Sequence, residues 1–112
     1  MAGALEETVK SNLSRALAIQ GWMSKMEMFC LAHFARQSET ILEIGSYKGR
    51  SSRCLADNTS GKVYCVDPWL STYPLNNGEP HKSIFPNVLP EFERNLRDHI
   101  ESGKVYDCQG TL

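Results

Sequence analysis

The sequence predicts an α/β domain built on a parallel sheet, and three observations predict it. Thr40-Ile41-Leu42-Glu43-Ile44 is an apolar run that breaks at Gly45, crosses to Gly49 and reaches Ser51 and Ser52, the order of a buried strand, a glycine loop and a helix start. Lys62 to Val66 is a second run, rich in β-branched and aromatic residues, so strand, helix and strand follow within roughly 30 residues, the signature of a right-handed parallel crossover. Val105 to Gln109 adds a third strand after a further helix. At 112 residues the chain has the length of one domain and buries roughly 65% of its unfolded surface.

Residues 1–38 read as an N-terminal helical segment and 39–112 as β-α-β-α-β. Leu5, Val9, Leu13, Ala16 and Leu17 have helical spacing over Ala4 to Ile19, and Gln20-Gly21 ends that helix. A second helix runs from about Ser24 to Gln37, with Ser24 as N-cap and Glu27 as its capping-box partner. Met26, Phe29, Cys30 and Phe34 make its expected core stripe, and His33 beside them reads as a packing or surface residue. The helix after the glycine loop spans about Ser51 to Asn58, with Ser51 and Ser52 as caps. The last helix starts near Pro90, buries Leu89, Phe92, Leu96 and Ile100, and ends at Gly103. Between strand two and that helix lies a long stretch, 68–90, holding all five prolines and the turn signal Asn76-Asn77-Gly78. It reads as a substrate loop or lid at the carboxyl edge of the sheet. His81 within it is the one histidine placed to act as a base, though plain surface explains it as well.

Composition excludes several classes. Net charge is −1 with no basic run, so nothing steers the chain to nucleic acid or an anionic membrane. Lys48, Arg50 and Arg53 cluster, but a solvated helix face explains them more simply than a phosphate patch. Glu6, Glu7 and Lys10 interrupt any signal peptide, and the longest apolar run, Met28 to Ala35, is too short to span a bilayer. Cys30, Cys54, Cys65 and Cys108 lack CxxC spacing and read as small buried hydrophobes in a reducing, cytoplasmic setting, with no metal site.

The chemistry gathers at the glycine loop. A helix N-terminus offers unpaired N–H groups and partial positive charge, which attract a carboxylate or phosphate. Gly45 and Gly49 permit a tight turn and a close ligand approach. Glu43 would repel a phosphate and attract an ammonium or hydroxyls, so the site suits a zwitterion or nucleoside better than a pyrophosphate. Asp67 ends the second strand 22 residues after Gly45, where an acidic side chain holds a ribose diol. Trp69 is placed to stack on a planar ligand.

These residues resemble those of class I S-adenosylmethionine-dependent methyltransferases. Ile41 to Ser51 is similar to their first motif in the form E-x-G-x-x-x-G-x-S, as in the catechol O-methyltransferase-like and small-molecule enzymes, and Val66-Asp67-Pro68-Trp69 is similar to a V-D-P-W second motif. The likeness covers about residues 20 to 112. It implies a Rossmann-like three-layer fold truncated to about three parallel strands in the order 3-2-1, with S-adenosyl-L-methionine as cofactor and a small-molecule methyl acceptor. It further implies that Gly45, Ser46, Tyr47 and Gly49 wrap the methionine end, that Glu43 supports its ammonium directly or through the loop, and that Ser51 stands near its carboxylate. Asp67 would hold the ribose, Trp69 the adenine, and Gly110 and Thr111 would lie near the base. The family's later strands, which carry the acceptor site and catalytic residues, have no counterpart here, so no catalytic residue is assigned. In a 3-2-1 sheet the apolar first strand has an unpaired outer edge, which invites a second copy, the N-terminal helices or further polypeptide to cover it. The alternatives are a nicotinamide or flavin dinucleotide module, which wants G-x-G-x-x-G rather than G-x-x-x-G, and a non-catalytic oligomerisation or interaction module.

Overall fold

The structure is a computed structural model that describes residues 12–69, 72–74, 80–82 and 88–109. In chain order its elements are α1 (Ser14–Leu17), α2 (Lys25–Ala35), β1 (Thr40–Ile44), α3 (Arg50–Asn58), β2 (Lys62–Asp67), β3 (Thr72–Pro74), β4 (Pro80–Lys82), α4 (Val88–Asn95), α5 (Arg97–Glu101) and β5 (Val105–Gln109). β1, β2 and β5 form one parallel sheet in the order β1-β2-β5. This is the expected 3-2-1 arrangement, with β1 at one edge. The stretch 68–90 carries more order than expected of a loop, because β3 and β4 pair antiparallel across the Asn76-Asn77-Gly78 turn signal. The first eleven residues, where half of the expected Ala4-to-Ile19 helix falls, lie outside the described residues, as do Gly110 and Thr111.

Helices cover one face of the sheet. Val63, Cys65 and Val105 point into a core with Leu55, Ala56, Trp69, Val88, Phe92 and Leu96, and Ile41 packs against it. A second cluster, Leu13, Ala16, Met28, Ala32 and Cys54, joins α1, α2 and α3. The other face is open among the described residues: Leu42 is 64% and Ile44 56% exposed, with Tyr106 at 38% stacked on Tyr64.

Three expectations about helices are corrected. The Ser24–Glu27 capping box is present, but α2 buries Met28, Ala32 and Ala35, while Met26 and Phe34 stand out in solvent and Cys30 is exposed. Of the expected stripe only Phe29 packs against the core, on the cluster that joins α1, α2 and α3. Ser51 and Ser52 do not cap α3. Gly49 is its N-cap at φ +97, with no side-chain cap. Gly49 must be glycine for packing as well as for φ, since a Cβ there would meet Leu96 Cδ2 at 2.4 Å and Phe92 at 3.1 Å. The single expected C-terminal helix breaks at Leu96, whose φ of −113° separates α4 from α5. Phe92 and Leu96 are buried as expected.

The cationic cluster is not a solvated face. Lys48 is 8% and Arg53 4% exposed, because each finds partners that offset desolvation. Arg53 donates to Asp57 Oδ2 at 3.0 Å and to both Asp98 oxygens at 2.5 and 2.9 Å, joining α3 to α5. His99 Nε2 lies 2.7 Å from Asp57 Oδ1. Arg50 donates to the carbonyls of Leu17, Ile19 and Met23 at 2.9, 2.7 and 3.0 Å, closing the carboxyl end of α1. Nor are all four cysteines buried: Cys54 and Cys65 are, and burial pushes their thiols up to about 12, whereas Cys30 and Cys108 are exposed.

The Arg53 network makes folding sensitive to acid. The Arg53 hydrogen bonds hold Asp98 down to about 2. Burial works to raise Asp57, and the His99 and Arg53 hydrogen bonds outweigh it, so its net shift is downward. Groups depressed on folding stabilise the protein above their unfolded value near 4 and lose that contribution as pH falls through the folded value. Chemical denaturation between pH 5 and roughly 2 should therefore show a steep loss of stability, and Asp98→Asn should flatten that slope. An unchanged slope in the variant would contradict the assignment.

Candidate functional site

The parallel register pairs Ile44 with Val66, which brings the carboxyl ends of β1 and β2 to the same edge. Gly45 N–H continues the ladder onto Val66 O at 2.7 Å. The glycine loop and Asp67 therefore meet at neighbouring strand tips.

Asp67 joins them. Its Oδ2 accepts from the Tyr47 backbone N–H at 3.0 Å and its Oδ1 from the Trp69 backbone N–H at 2.7 Å. Among the described residues, Tyr47 and Trp69 are the non-glycine residues held at positive φ, +52° and +45°, a conformation that costs about 1–2 kcal/mol each. One carboxylate thus fixes both unfavourable turns. Trp69 Nε1 donates to Tyr47 O at 2.7 Å, completing the link, and its ring is 7% exposed and packs on Phe92 at 4.8 Å. The indole is a buried brace beneath the turn.

Glu43 is held from the other side. Its two carboxylate oxygens accept from the Ser51 and Ser52 hydroxyls in the first turn of α3, where the helix dipole favours a negative charge. Ser46 is 2% exposed and lies, with Ser52, beside the Cys65 thiol. The two loop glycines do different work. A Cβ on Gly45, at φ +85, would meet nothing within 4 Å, so the backbone there faces open space, whereas Gly49 is packed against α4.

A cleft of about 170 Å³ opens at this point, lined by Gly21, Trp22, Met23, Gly45, Ser46, Tyr47, Arg50 and Ser51. It holds an amino-acid moiety more readily than a whole nucleoside. Sequence reasoning missed the wall formed by Gly21 to Met23. The signal was the turn at Gln20-Gly21 followed by a tryptophan, but distant partners bring that turn beside the loop, Arg50 on three carbonyls and Lys48 Nζ on Gln20 Oε1 at 2.7 Å. A larger cleft of about 540 Å³ lies at the amino ends of the strands, lined by Glu39, Thr40, Gly61, Lys62 and Gly103 among others. There helices end rather than begin, so its backbone presents carbonyls and not the N–H groups that bind anions.

Among the described residues, the lining of the cleft at the glycine loop includes no histidine, aspartate or glutamate. His99 is engaged with Asp57, and His33 lies 3.2 Å from Gln37. No group of three or more potential metal ligands occurs among the described residues, and no helix among them is long and apolar enough to cross a membrane. The arrangement can bind and orient a ligand by an uncapped helix start, an open glycine backbone and a strand-end carboxylate.

No protein-family model and no curated protein matches the sequence. Solved structures do match the fold. The SAH-bound methyltransferase PaMTH1 of Podospora anserina superposes with a TM-score of 0.60 at 13% identity over 94% of this chain and 42% of that one. A Klebsiella pneumoniae protein assigned as an O-methyltransferase superposes with a TM-score of 0.56 at 18% identity over 96% of this chain and 43% of its own. The chain thus spans less than half the length of either. At these identities the likeness establishes architecture: the chain has the fold of the N-terminal half of a class I S-adenosylmethionine-dependent methyltransferase.

Proposed function

We propose that this chain is the cofactor-binding half of an S-adenosylmethionine-dependent methyltransferase acting on a small-molecule acceptor. The observation that carries the reading is the Asp67 clamp, which sets a strand-end carboxylate beside an open glycine backbone at one end of the sheet. The residues present fit the cofactor. The space above Gly45 accepts a ligand in contact with the backbone, and the first turn of α3 carries no side-chain cap, leaving its N–H groups for the amino-acid carboxylate beside Ser51. Each Asp67 oxygen accepts one backbone N–H and retains a further lone pair for a ribose hydroxyl.

In this reading Glu43 acts through Ser51 and Ser52, anchoring the helix start that meets the carboxylate. Ser46, Tyr47 and Gly49 shape the loop, Trp69 braces the Asp67 turn from below, and Gly110 and Thr111, outside the described residues, keep the place near the base that the resemblance implies. The cofactor, when bound, supplies an electrophilic methyl group. The chain's part is positioning and exclusion of water, which contribute much of the acceleration in such displacements. The described cleft provides no proton acceptor, so the acceptor site belongs to residues beyond it. Four free cysteines support a reducing, cytoplasmic setting.

A second reading is favoured by the sheet. β1 has no partner strand on its outer side among the described residues, and Leu42 and Ile44 stand exposed beside it. α1 and α2 lie mainly on α3 rather than over that edge. Such an edge pairs readily with another strand, and we propose a second copy as that strand's source. Light scattering that reads a dimer supports this pairing, and a monomer at every concentration removes it.

Calorimetry with S-adenosylhomocysteine tests the cofactor reading. Asp67→Ala should weaken binding at least about tenfold, the loss of charge-assisted hydrogen bonds. Gly45→Ala should do the same while the protein stays folded, since its methyl meets no protein atom and the positive φ costs about 1–2 kcal/mol. Tight binding that ignores both substitutions, or displacement of the ligand by NADH, would remove the assignment.

A further inference from the structure

We infer that Arg50 is a ligand-binding residue, the unused arm of its guanidinium taking the amino-acid carboxylate of the ligand at the start of α3. The inference rests on the cofactor reading above and adds a side chain to which the family resemblance gives no role.

Arg50 is the first residue of α3, where the helix dipole is positive and a cation is disfavoured. The other buried cations of this loop and helix have carboxylate partners: Lys48 lies 3.1 Å from Glu91, and Arg53 binds Asp57 and Asp98. Arg50 forms no ion pair among the described residues. Its bonds go to neutral carbonyls, from Nε to Met23 O and from Nη1 to Leu17 O and Ile19 O. Glu43, the carboxylate of the same strand–loop–helix unit, is bonded instead to the Ser51 and Ser52 hydroxyls. A guanidinium offers five N–H donors. Those on Nη2 have no acceptor among the described residues.

The position of Arg50 says what that acceptor is. The residue lines the cleft of about 170 Å³ together with Gly45, Ser46 and Ser51. Its three carbonyl bonds fix the plane of the guanidinium, so Nη2 is held in place with the rest of the group. A second polar group of the same lining is also unsatisfied, since Ser46 Oγ is buried and has no hydrogen-bond partner among the described residues. Native structures rarely leave such a group without a ligand or a water. The leading N–H groups of α3, uncapped by any side chain, are the third set of donors. All three belong to one small cleft whose described lining holds no carboxylate. An anion satisfies them together, and a carboxylate is the anion that pairs well with a guanidinium and fits an amino-acid-sized space.

The test varies the carboxylate alone. S-adenosylhomocysteine is compared by calorimetry with its decarboxylated analogue, which keeps the nucleoside, the thioether and the ammonium. The unsubstituted 112-residue chain should bind S-adenosylhomocysteine at least about tenfold more tightly than the analogue, as charge-assisted hydrogen bonds would give. Arg50→Met also releases the turn at Gly21, which weakens both ligands alike, so the readout is the ratio of the two affinities. That ratio should fall at least about fivefold in Arg50→Met, with Arg50→Lys, which keeps the charge but not the fork, lying between the two. Circular dichroism confirms the fold of each variant. Should neither fold, the guanidinium nitrogen resonances of Arg50 in the unsubstituted chain decide by NMR: S-adenosylhomocysteine shifts them and the analogue does not. Equal affinity of the unsubstituted chain for the two ligands, a ratio that Arg50→Met leaves unchanged, or resonances that answer both ligands equally overturns the inference and leaves the cofactor reading standing. Failure of the unsubstituted chain to bind S-adenosylhomocysteine overturns the cofactor reading and this inference with it.

Discussion

The site depends on one carboxylate receiving two backbone N–H groups. Asp67 ends β2 and reaches across to Tyr47 and forward to Trp69, the two non-glycine residues held in the left-handed region among the described residues. Without those bonds each turn would relax toward an ordinary conformation, and the glycine loop would lose its position over β2. A strained loop persists only where its surroundings over-determine it. Here the surroundings are a strand-end aspartate, the Trp69 indole bonded to Tyr47 O, and the Phe92 ring beneath that indole. The cleft is pre-organised by bonds internal to the chain, which lowers the ordering a ligand would have to impose.

Around this clamp, buried cations turn separate helices into one support. Arg50 closes the carboxyl end of α1 and sets the α1–α2 turn beside the loop. Three residues on, Arg53 reaches the opposite way and fixes α5 through Asp98. Both side chains leave the first turn of α3, the helix whose start faces the cleft. Glu43 ties that same turn back to β1. The helix start is thereby fixed from three directions, while its leading N–H groups remain uncapped by any side chain. The open sheet face, with Leu42, Ile44 and Tyr106 exposed, stands in contrast. The support is complete on the side that builds the cleft and bare on the other.

Much of this was legible in the sequence because the signals were local. Thr40 to Ile44 and Val105 to Gln109 are strand-forming runs each followed by glycine, and they form strands with those bounds. Ser24 and Glu27 sit three residues apart and form their box. Asp67 was legible as a partner of the glycine loop from its spacing, although its bonds to Tyr47 and Trp69 depend on a turn no spacing reveals. What was not legible depends on tertiary neighbours. α2 has two apolar faces, and the choice of Met28, Ala32 and Ala35 over Met26 and Phe34 was made by packing against α3. Lys48, Arg50 and Arg53 read as surface charges because most of their partners, Asp57 apart, lie more than 25 residues away. Gly45 and Gly49 look alike in the sequence, yet one faces open space and the other the Leu96 side chain.

The most direct measurement is a crystal structure of the chain grown with S-adenosylhomocysteine. The account predicts the ribose hydroxyls on Asp67, on the side away from Tyr47 N–H and Trp69 N–H, with the amino-acid end lying over Gly45 and its carboxylate at the start of α3. Ligand density at the opposite, amino-terminal end of the strands, or at the glycine loop with Asp67 untouched, would contradict it.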